Sequence, residues 1–492
     1  MSRIAAISDA HLPDRSDTIK DAVLDWTLGD LRTKDVDLLV VAGDMTSLGT
    51  AAAATRLRHK LDRLDIPFLF TPGNAELRTP AQTRQVLDTL HTPPETAEVI
   101  ALDTSRMHLT DADRDRLCVL CQRAEPIFAV THCPPGFLPQ EDQTLFRMAL
   151  DAGKLLPLLT GHIHRDQIDG RRQSIRGLDP DRACAAPAGF AVFDSAQGTW
   201  ERQDFSCPLD NPATWGHCTR EDFLEHLGIS AFVHPTQEVV AAGDAHIPCL
   251  EIPAMAATAE GIGQALEYWR SQGGDRLSVL LPMLTPDRNS DPGVVAGVRF
   301  AIACGAQMVT LPMPGNWTAG ELAFVEKRRS LAARYGALLR PLLDAGLTIG
   351  FENLSLRQGE PYDSRRRYGC TPLECREWIQ LMRGQLDGAE IGLTFDLAHA
   401  RNNRKLASRY NPSEWYAELG SQMVAAHLHQ IRDLDGRPTP HCHFDTLFDP
   451  YIHLGGFLMA WNIGQVRHGP LFLEIHHGSP VDSWRHIRGL VG

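Results

Sequence analysis

Five short apolar runs in the first third of the chain constrain its fold more than any other feature. They read RIAAIS, DLLVVAGD, PFLFTPGN, IFAVTHCP and LLPLLTGH. Runs of this length without polar alternation are typical of strands that are buried on both faces of a sheet. Segments with helical periodicity, such as DTIKDAVLDWTLGDL, lie between them. The pattern predicts a layered α/β domain.

Each run is followed by residues that can bind a metal ion. These residues are Asp9, His11, Asp44, Asn74, His132, His162 and His164. Ligands collect at the carboxyl ends of strands in such folds, and carboxylate, amide and imidazole groups bind divalent cations. A single buried Asp or His would more simply satisfy a hydrogen-bond network. The whole set instead predicts a centre of two metals that share a bridging carboxylate.

The blocks D-x-H, G-D, G-N, H and G-H-x-H occur in the order found in calcineurin-like metallophosphoesterases, which this chain resembles over roughly residues 1 to 200. The resemblance implies two ligand sets, Asp9, His11 and His164 for one metal and Asn74, His132 and His162 for the other. Asp44 would bridge the metals, and Asp44, Asn74 and His132 would be catalytic. The implied cofactors are two divalent ions (Mn, Fe, Zn or Ni), which activate a water for in-line attack on phosphorus.

One position departs from the family pattern. Many members carry a His after the Asn, where this chain has Ala75 followed by Glu76. That His is thought to protonate or stabilise the leaving group. The departure brings the chain closer to the compact phosphodiesterase branch. We therefore expect a phosphodiesterase that prefers good leaving groups or takes a proton from elsewhere.

A second series of apolar runs begins near residue 229. It comprises ISAFVHP, CLEIPAM, LSVLLPML, AQMVTLPM, LTIGFENL, EIGLTFDLAHA, MVAAHLHQI and GPLFLEIHHG. Eight β/α units in about 260 residues match the size of a (β/α)8 TIM barrel. We predict an α/β sandwich domain over 1–205 that closes with a hairpin in GFAVFDSAQGTWERQDF, a linker over 206–228 and a barrel over 229–492.

The strand ends GFENL, FDLAHA, AHLHQ and FLEIHHG resemble those of the xylose isomerase-like superfamily, which includes sugar epimerases and endonuclease IV. The resemblance implies one or more divalent metals (Mn, Mg, Zn or Co) held by Glu352, Asp396, His427 and Glu474. His399 and His429 would lie beside the substrate. Glu352 and Glu474 would act as acid and base on a carbon next to a carbonyl.

Three interpretations of the barrel remain open. A DNA repair nuclease of the endonuclease IV type would need further His ligands, but the corresponding positions are Met313 and Tyr451. The isomerase set is complete apart from a family Asp that is replaced by Gln430. The third possibility is a ligand-binding or regulatory barrel without chemistry, since a fold does not fix a function.

Two further groups near the barrel site are ambiguous. Arg365, Arg366 and Arg367 could bind a phosphate or carboxylate, although a charge run is more often a solvated loop. His441 and His443 could bind a metal, but we expect them in an exposed loop. His476 and His477 could contact a substrate.

Composition excludes several classes of function. The formal net charge of −13 over 492 residues disfavours a broad nucleic-acid or membrane surface. The 11 cysteines are scattered, as in a reduced cytoplasmic protein. The first strand begins within a few residues of Met1, so no signal peptide is expected. We therefore expect a cytoplasmic enzyme with a small-molecule phosphoester substrate, no nucleic-acid or membrane partner, and the possibility of an oligomer.

Overall fold

The computed structural model describes residues 3–93, 96, 98–169, 171–182, 186–204, 219–449 and 451–491. The chain divides into two compact units, Met1–Cys207 and Pro208–Gly492. Most of the predicted linker 206–228 lies outside the described residues. Its described end lies in the second unit, where it forms a short helix and the first two residues of a barrel strand.

The first unit alternates strands and helices, as the apolar runs predict. Its strands are β1 (Arg3–Ile7), β2 (Leu38–Val41), β3 (Phe68–Phe70), β4 (Val99–Leu102), β5 (Ile127–Thr131), β6 (Leu155–Thr160), β7 (Gln167–Asp169), β8 (Arg172–Ser174), β9 (Gly189–Asp194) and β10 (Thr199–Asp204). Its helices are α1 (Ile19–Leu31), α2 (Ala51–Asp62), α3 (Thr83–Leu90), α4 (Asp111–Leu120) and α5 (Gln140–Asp151). Thr18 begins α1 with a capping box, in which its side chain and that of Asp21 each accept the other residue's backbone N–H.

Two five-stranded sheets form the centre of this unit. One has the order β10-β9-β1-β2-β3 and the other β4-β5-β6-β8-β7. Ile4 and Val40 of the first sheet belong to the same buried cluster as Val130 and Leu159 of the second, so the sheets pack face to face. A second buried cluster, which includes Phe146 of α5, covers the other face of the second sheet. The predicted α/β sandwich is confirmed, and the predicted hairpin is β9–β10.

The second unit is a closed barrel of eight parallel strands in the described residues. These are β11 (Leu227–Ser230), β12 (Cys249–Pro253), β13 (Arg276–Leu280), β14 (Met308–Pro312), β15 (Thr348–Glu352), β16 (Ile391–Asp396), β17 (Met423–Leu428) and β20 (Leu471–Leu473). Strands β18 (Gln430–Leu434) and β19 (Arg437–Cys442) form an antiparallel hairpin outside the barrel. The eight predicted strands all lie in the barrel, but the hairpin was not predicted.

Helices surround the barrel and bury its outer face. They are α6 (Arg220–His226), α7 (Pro235–Asp244), α8 (Ile262–Ser271), α9 (Asp291–Ala303), α10 (Ala319–Ala323), α11 (Val325–Asp344), α12 (Pro372–Gln385), α13 (Leu397–Arg401), α14 (Lys405–Arg409), α15 (Pro412–Leu419), α16 (Gly455–Asn462) and α17 (Pro480–Val491). The side chains of Trp269, Trp378, Trp415 and Trp461 are fully buried in this layer. Among the described helices, none combines the length and apolarity that crossing a membrane requires.

Candidate metal centres

The seven predicted ligands of the first unit converge at one edge of its two sheets. Asp9, Asp44 and Asn74 follow β1, β2 and β3, which are parallel neighbours. His132 follows β5, and the His162–His164 segment follows β6, which is parallel to β5. The carboxyl ends of parallel strands share an edge, and this shared edge brings together residues that are far apart in sequence.

Backbone strain is concentrated at this edge. Asp9, His11, Asp44, His162 and His164 all have a positive φ, between 47° and 71°. This left-handed region is costly for residues other than glycine and is held only where the surroundings require it, commonly at functional sites. Gly73 permits the close approach of the loops, because a Cβ there would lie 2.2 Å from Asp44 Oδ1.

One cluster contains Asp9, His11 and His164. The Nε2 atoms of the two histidines are 3.3 Å apart, and their rings are stacked with an interplanar angle of 5°. Asp9 Oδ1 lies 3.4 Å from His164 Nε2 and 3.9 Å from His11 Nε2. The other oxygen of Asp9 accepts hydrogen bonds from Ser8 Oγ and from the His162 backbone N–H. Oδ1 is thereby left facing the two imidazoles.

The second cluster contains His132 and His162, with a ring-nitrogen separation of 3.2 Å. His132 Nδ1 lies 2.7 Å from the backbone oxygen of Ala42, so Nδ1 donates there and Nε2 faces the cluster. Asp44 lies between the clusters. Its Oδ1 is 3.4 Å from His132 Nε2 and its Oδ2 is 3.9 Å from His11 Nε2, which is the arrangement that a bridging ligand requires.

Burial and charge act in opposite directions on these groups. Burial lowers the pKa of His11 well below its usual value. Burial alone would also lower the pKa of His132, but the Asp44 carboxylate raises it to about 9. The same interaction holds the pKa of Asp44 below its usual value against the effect of burial. Asp44 is therefore a carboxylate at neutral pH and available to a cation.

The donor set fits a pair of divalent cations. Asp9 Oδ1 and Asn74 Oδ1 are buried oxygens without a hydrogen-bond partner in the structure, and such atoms are costly unless another ligand satisfies them. Asp9, His11 and His164 place their ligand atoms within 4.8 Å of one another. Oxygen and imidazole donors in this mixture suit Mn, Fe, Zn or Ni.

Glu76 holds the loops of the site together, a role that the sequence did not predict. Its buried carboxylate accepts backbone hydrogen bonds from Asp44, Thr46 and Gly73 at 2.8–2.9 Å. It thus fixes the loop that carries Asp44 to the loop that carries Asn74. Burial and the nearby Asp44 charge raise the pKa of Glu76 to about 7. Its only sequence signal is its position two residues after Asn74.

The barrel gathers a second set of titratable residues at the carboxyl ends of its strands. Glu352, Asp396, His427 and Glu474 place their ligand atoms within 4.8 Å of one another. His427 Nδ1 lies 2.9 Å from Glu352 Oε1 and 3.5 Å from Glu474 Oε2. Burial raises the pKa of Glu352. Burial also opposes ionisation of Glu474, but His427 holds its pKa well below the usual value.

Asp396 illustrates how the fold orients a ligand. Its Oδ1 accepts the His399 backbone N–H at 2.7 Å and caps α13. Its Oδ2 lies 3.2 Å from His399 Nδ1 and 3.3 Å from His429 Nε2. One oxygen therefore anchors the residue and the other faces the cluster, beside the two histidines that the sequence placed near a substrate.

Glu251 of β12 was missed by the sequence analysis. It is fully buried, and its Oε1 lies 2.9 Å from His427 Nε2. Ser278 and Thr310 each donate a hydrogen bond of 2.9 Å to its other oxygen. This interior group orients His427 so that Nδ1 faces Glu352. A lone Glu in the apolar run CLEIP gave no signal of this role.

The hairpin β18–β19 corrects the expectation for His441. We expected an exposed loop, but only 18% of the His441 side chain is exposed, and its Nδ1 lies 3.6 Å from Glu474 Oε2. The ring stacks between His429 and His476 at centroid distances of 4.1 and 4.2 Å. His443, in contrast, is half exposed and pairs with Asp445.

The three arginines considered for phosphate binding are already paired with carboxylates. Arg366 forms a two-point contact with Glu374 at 2.6 and 3.0 Å. Arg367 pairs with Glu360 at 3.3 Å, and Arg365, whose side chain is 77% exposed, pairs with Asp363. Arg366 and Arg367 are largely buried in these ion pairs, and only Arg365 is a solvated charge.

Comparison with known proteins gave one family match and several similarities to solved structures. Residues 2–166 match the model of the calcineurin-like phosphoesterase family. The search of curated proteins gave no match. Among solved structures, the chain is similar to a D-tagatose 3-epimerase-like protein (16% identity, 54% of this chain, 96% of that chain, TM-score 0.38). It is also similar to a xylose isomerase domain protein from Alicyclobacillus acidocaldarius (17%, 54%, 96%, 0.39) and to a dimetal phosphatase from Danio rerio (13%, 39%, 91%, 0.31).

The structural similarities are weak, so the barrel assignment rests on the barrel's own closed strand pairing. The family match includes all seven candidate ligands, from Asp9 to His164. The amino-terminal unit therefore matches the calcineurin-like phosphoesterase family over residues 2–166, which supports a metal-dependent phosphoester hydrolase.

Proposed function

We propose that the amino-terminal domain hydrolyses a small phosphodiester. Two divalent cations held by the seven ligands would lower the pKa of a water and neutralise phosphoryl oxygens. Asp44 faces both clusters and would hold them at a fixed separation. Glu76 fixes the loops that carry Asp44 and Asn74, so the donors are positioned before a substrate binds.

Ala75 is the observation that supports this finer assignment. It is fully buried, and its backbone N–H donates a 2.6 Å hydrogen bond to Asp44 Oδ1. Its methyl side chain has no acidic proton to donate to a departing oxygen, as the His found in many family members would. Substrates whose leaving group departs as a weakly basic anion are therefore expected to react faster than those whose leaving group needs a proton.

The test is a series of aryl methyl phosphodiesters whose phenols differ in pKa, together with 4-nitrophenyl phosphate as the monoester. We expect kcat/KM to fall steeply as the phenol becomes less acidic, and the diesters to react faster than the monoester. A flat response to phenol acidity would contradict the role assigned to Ala75. Faster hydrolysis of the monoester would contradict the diester assignment.

We further propose that the barrel moves a proton at a carbon next to a carbonyl, with Glu352 and Glu474 as acid and base. This proposal is supported by their environments, which shift the two pKa values in opposite directions. A divalent cation held with Asp396 and His427 would polarise the carbonyl oxygen. Deuterium incorporation from D2O into hydroxyketones, followed by NMR, tests it. Exchange should be lost in Glu352→Gln.

The rival functions predict other results. A regulatory barrel would bind a ligand and alter phosphoester hydrolysis without any exchange. A repair nuclease would bind abasic duplex DNA at moderate salt, which we do not expect from a chain with a net charge of −13.

A further inference from the structure

The mouth of the barrel is divided into two chemically different halves. Side chains two positions apart on a strand share a face, and Ser230, Glu251, Ser278 and Thr310 meet inside the barrel. The next inward positions are apolar in three of these strands, which end in Pro253, Leu280 and Pro312. Phe232 lies two residues after the end of β11 and lines the same cavity as these three residues. The other four strands carry Glu352, Asp396, His427 and Glu474 at their carboxyl ends or within one residue of them.

An open cavity of about 580 Å³ lies over the apolar half. Besides these four apolar residues, its wall includes Met255, Leu281 and Met283, and Glu352 is the acidic residue in its lining. Met255 is 71% exposed. Apolar side chains that surround an accessible cavity of this size are typical of a small-molecule site.

Two contacts join the cavity to the titratable cluster. Glu352 belongs to both, because it lines the cavity and lies 2.9 Å from His427. The ring of Phe232 stacks on His476 at 4.4 Å, and His476 Nε2 lies 3.5 Å from Glu474 Oε1. A molecule that fills the cavity therefore reaches the cluster with one end.

We propose that the barrel binds an amphiphilic molecule, with an oxygen-bearing head at the Glu352–Glu474 cluster and an apolar body of several carbons in the cavity. The position of the head rests on the metal-binding role proposed for the barrel, whereas the body rests on the cavity alone. A sugar or polyol, the ligand class expected from sequence, would place hydroxyls against an apolar wall that cannot hydrogen-bond them. The apolar half therefore selects against a fully hydroxylated chain.

Binding of two hydroxamates that differ only in chain length tests this proposal. Full-length Asp44→Asn protein, loaded with Mn²⁺, is titrated calorimetrically with acetohydroxamate and hexanohydroxamate. The substitution reduces the contribution of the amino-terminal centre to the measured hydroxamate binding. Burial of apolar surface favours the longer chain by up to about fourfold for each of its additional methylenes. We expect hexanohydroxamate to bind at least about 30-fold more tightly.

Substitutions in the cavity wall show where the preference for the longer hydroxamate arises. Met255→Glu and Met283→Glu should each reduce the chain-length advantage at least fivefold and leave acetohydroxamate affinity within about twofold. Met148→Glu is the matched control, since Met148 is another exposed methionine (57%) on α5 of the other unit. It should change neither affinity.

Acetohydroxamate binding without a chain-length preference, or a preference that survives both wall variants, would overturn the amphiphilic ligand and leave the metal-binding role intact. If neither hydroxamate binds, the metal-binding role fails and the proposal fails with it.

Discussion

At the scale of single residues, we expect Asp44 to decide whether the proposed amino-terminal metal centre forms, because its two oxygens face histidines of different clusters. We predict that Asp44→Asn lowers kcat/KM for phosphodiesters by more than about 100-fold, since even residues that only orient a metal ligand change activity by about 10- to 100-fold. Turnover and bound metal per chain are the measurements. Asp88→Asn, at an aspartate with 74% exposure, should behave as wild type.

Glu76 gives a second prediction at this scale. In Glu76→Gln, the amide nitrogen would face backbone N–H groups that now donate to a carboxylate, so buried donors would lose their acceptor. We expect a loss of about 2 kcal/mol in the free energy of unfolding and weaker metal binding. Urea titration and metal analysis measure the two effects. Stability equal to that of Glu141→Gln, where the glutamate is 70% exposed, would contradict the positioning role.

The residues differ in how far sequence could predict them. The seven candidate ligands of the first unit were recognisable because each follows an apolar run, and the structure brings them together at one edge of the sheets. Glu251 and His441 were not, because their roles depend on contacts formed only after folding. Glu251 contacts a histidine 176 positions away across the barrel interior, and His441 reaches the cluster through a hairpin whose polar sequence resembles a loop.

At the scale of elements, strand β15 must pack closely at Gly350, two residues before Glu352. A Cβ at Gly350 would lie 2.1 Å from Thr394 Oγ1 on the neighbouring strand. We predict that Gly350→Ala lowers the free energy of unfolding by about 1–3 kcal/mol through overpacking.

Gly384 of α12 is the matched control for this prediction. A Cβ there meets nothing within 4 Å, so Gly384→Ala should be neutral or stabilise by up to about 1 kcal/mol, because alanine loses less entropy than glycine in a helix. Urea unfolding of both variants measures the two free energies of unfolding. Equal stability of the two would show that β15 can shift to accommodate the methyl group.

The elements themselves were largely predictable. Buried parallel strands have nearly continuous apolar sequences, and all eight strands of the barrel carried this signal. Strands β7 and β8 carried none, because they are short, polar and partly exposed. The hairpin β18–β19 was hidden for the same reason, since most of its side chains are exposed or partly exposed.

At the scale of the whole molecule, the two candidate metal centres, one in each unit, predict additive metal binding. We expect about three divalent ions per chain, two in the phosphoesterase domain and one in the barrel, because a missing ligand weakens only the centre to which it belongs. Asp44→Asn should lose about two of them, and Asp396→Asn about one. Metal analysis after gel filtration measures each value, and the double variant should lose all three.

Loss of barrel metal in Asp44→Asn would contradict independent centres. Unchanged phosphodiester turnover in Asp396→Asn would then separate hydrolysis from the barrel, whereas turnover that falls with barrel metal would show that the two activities are coupled.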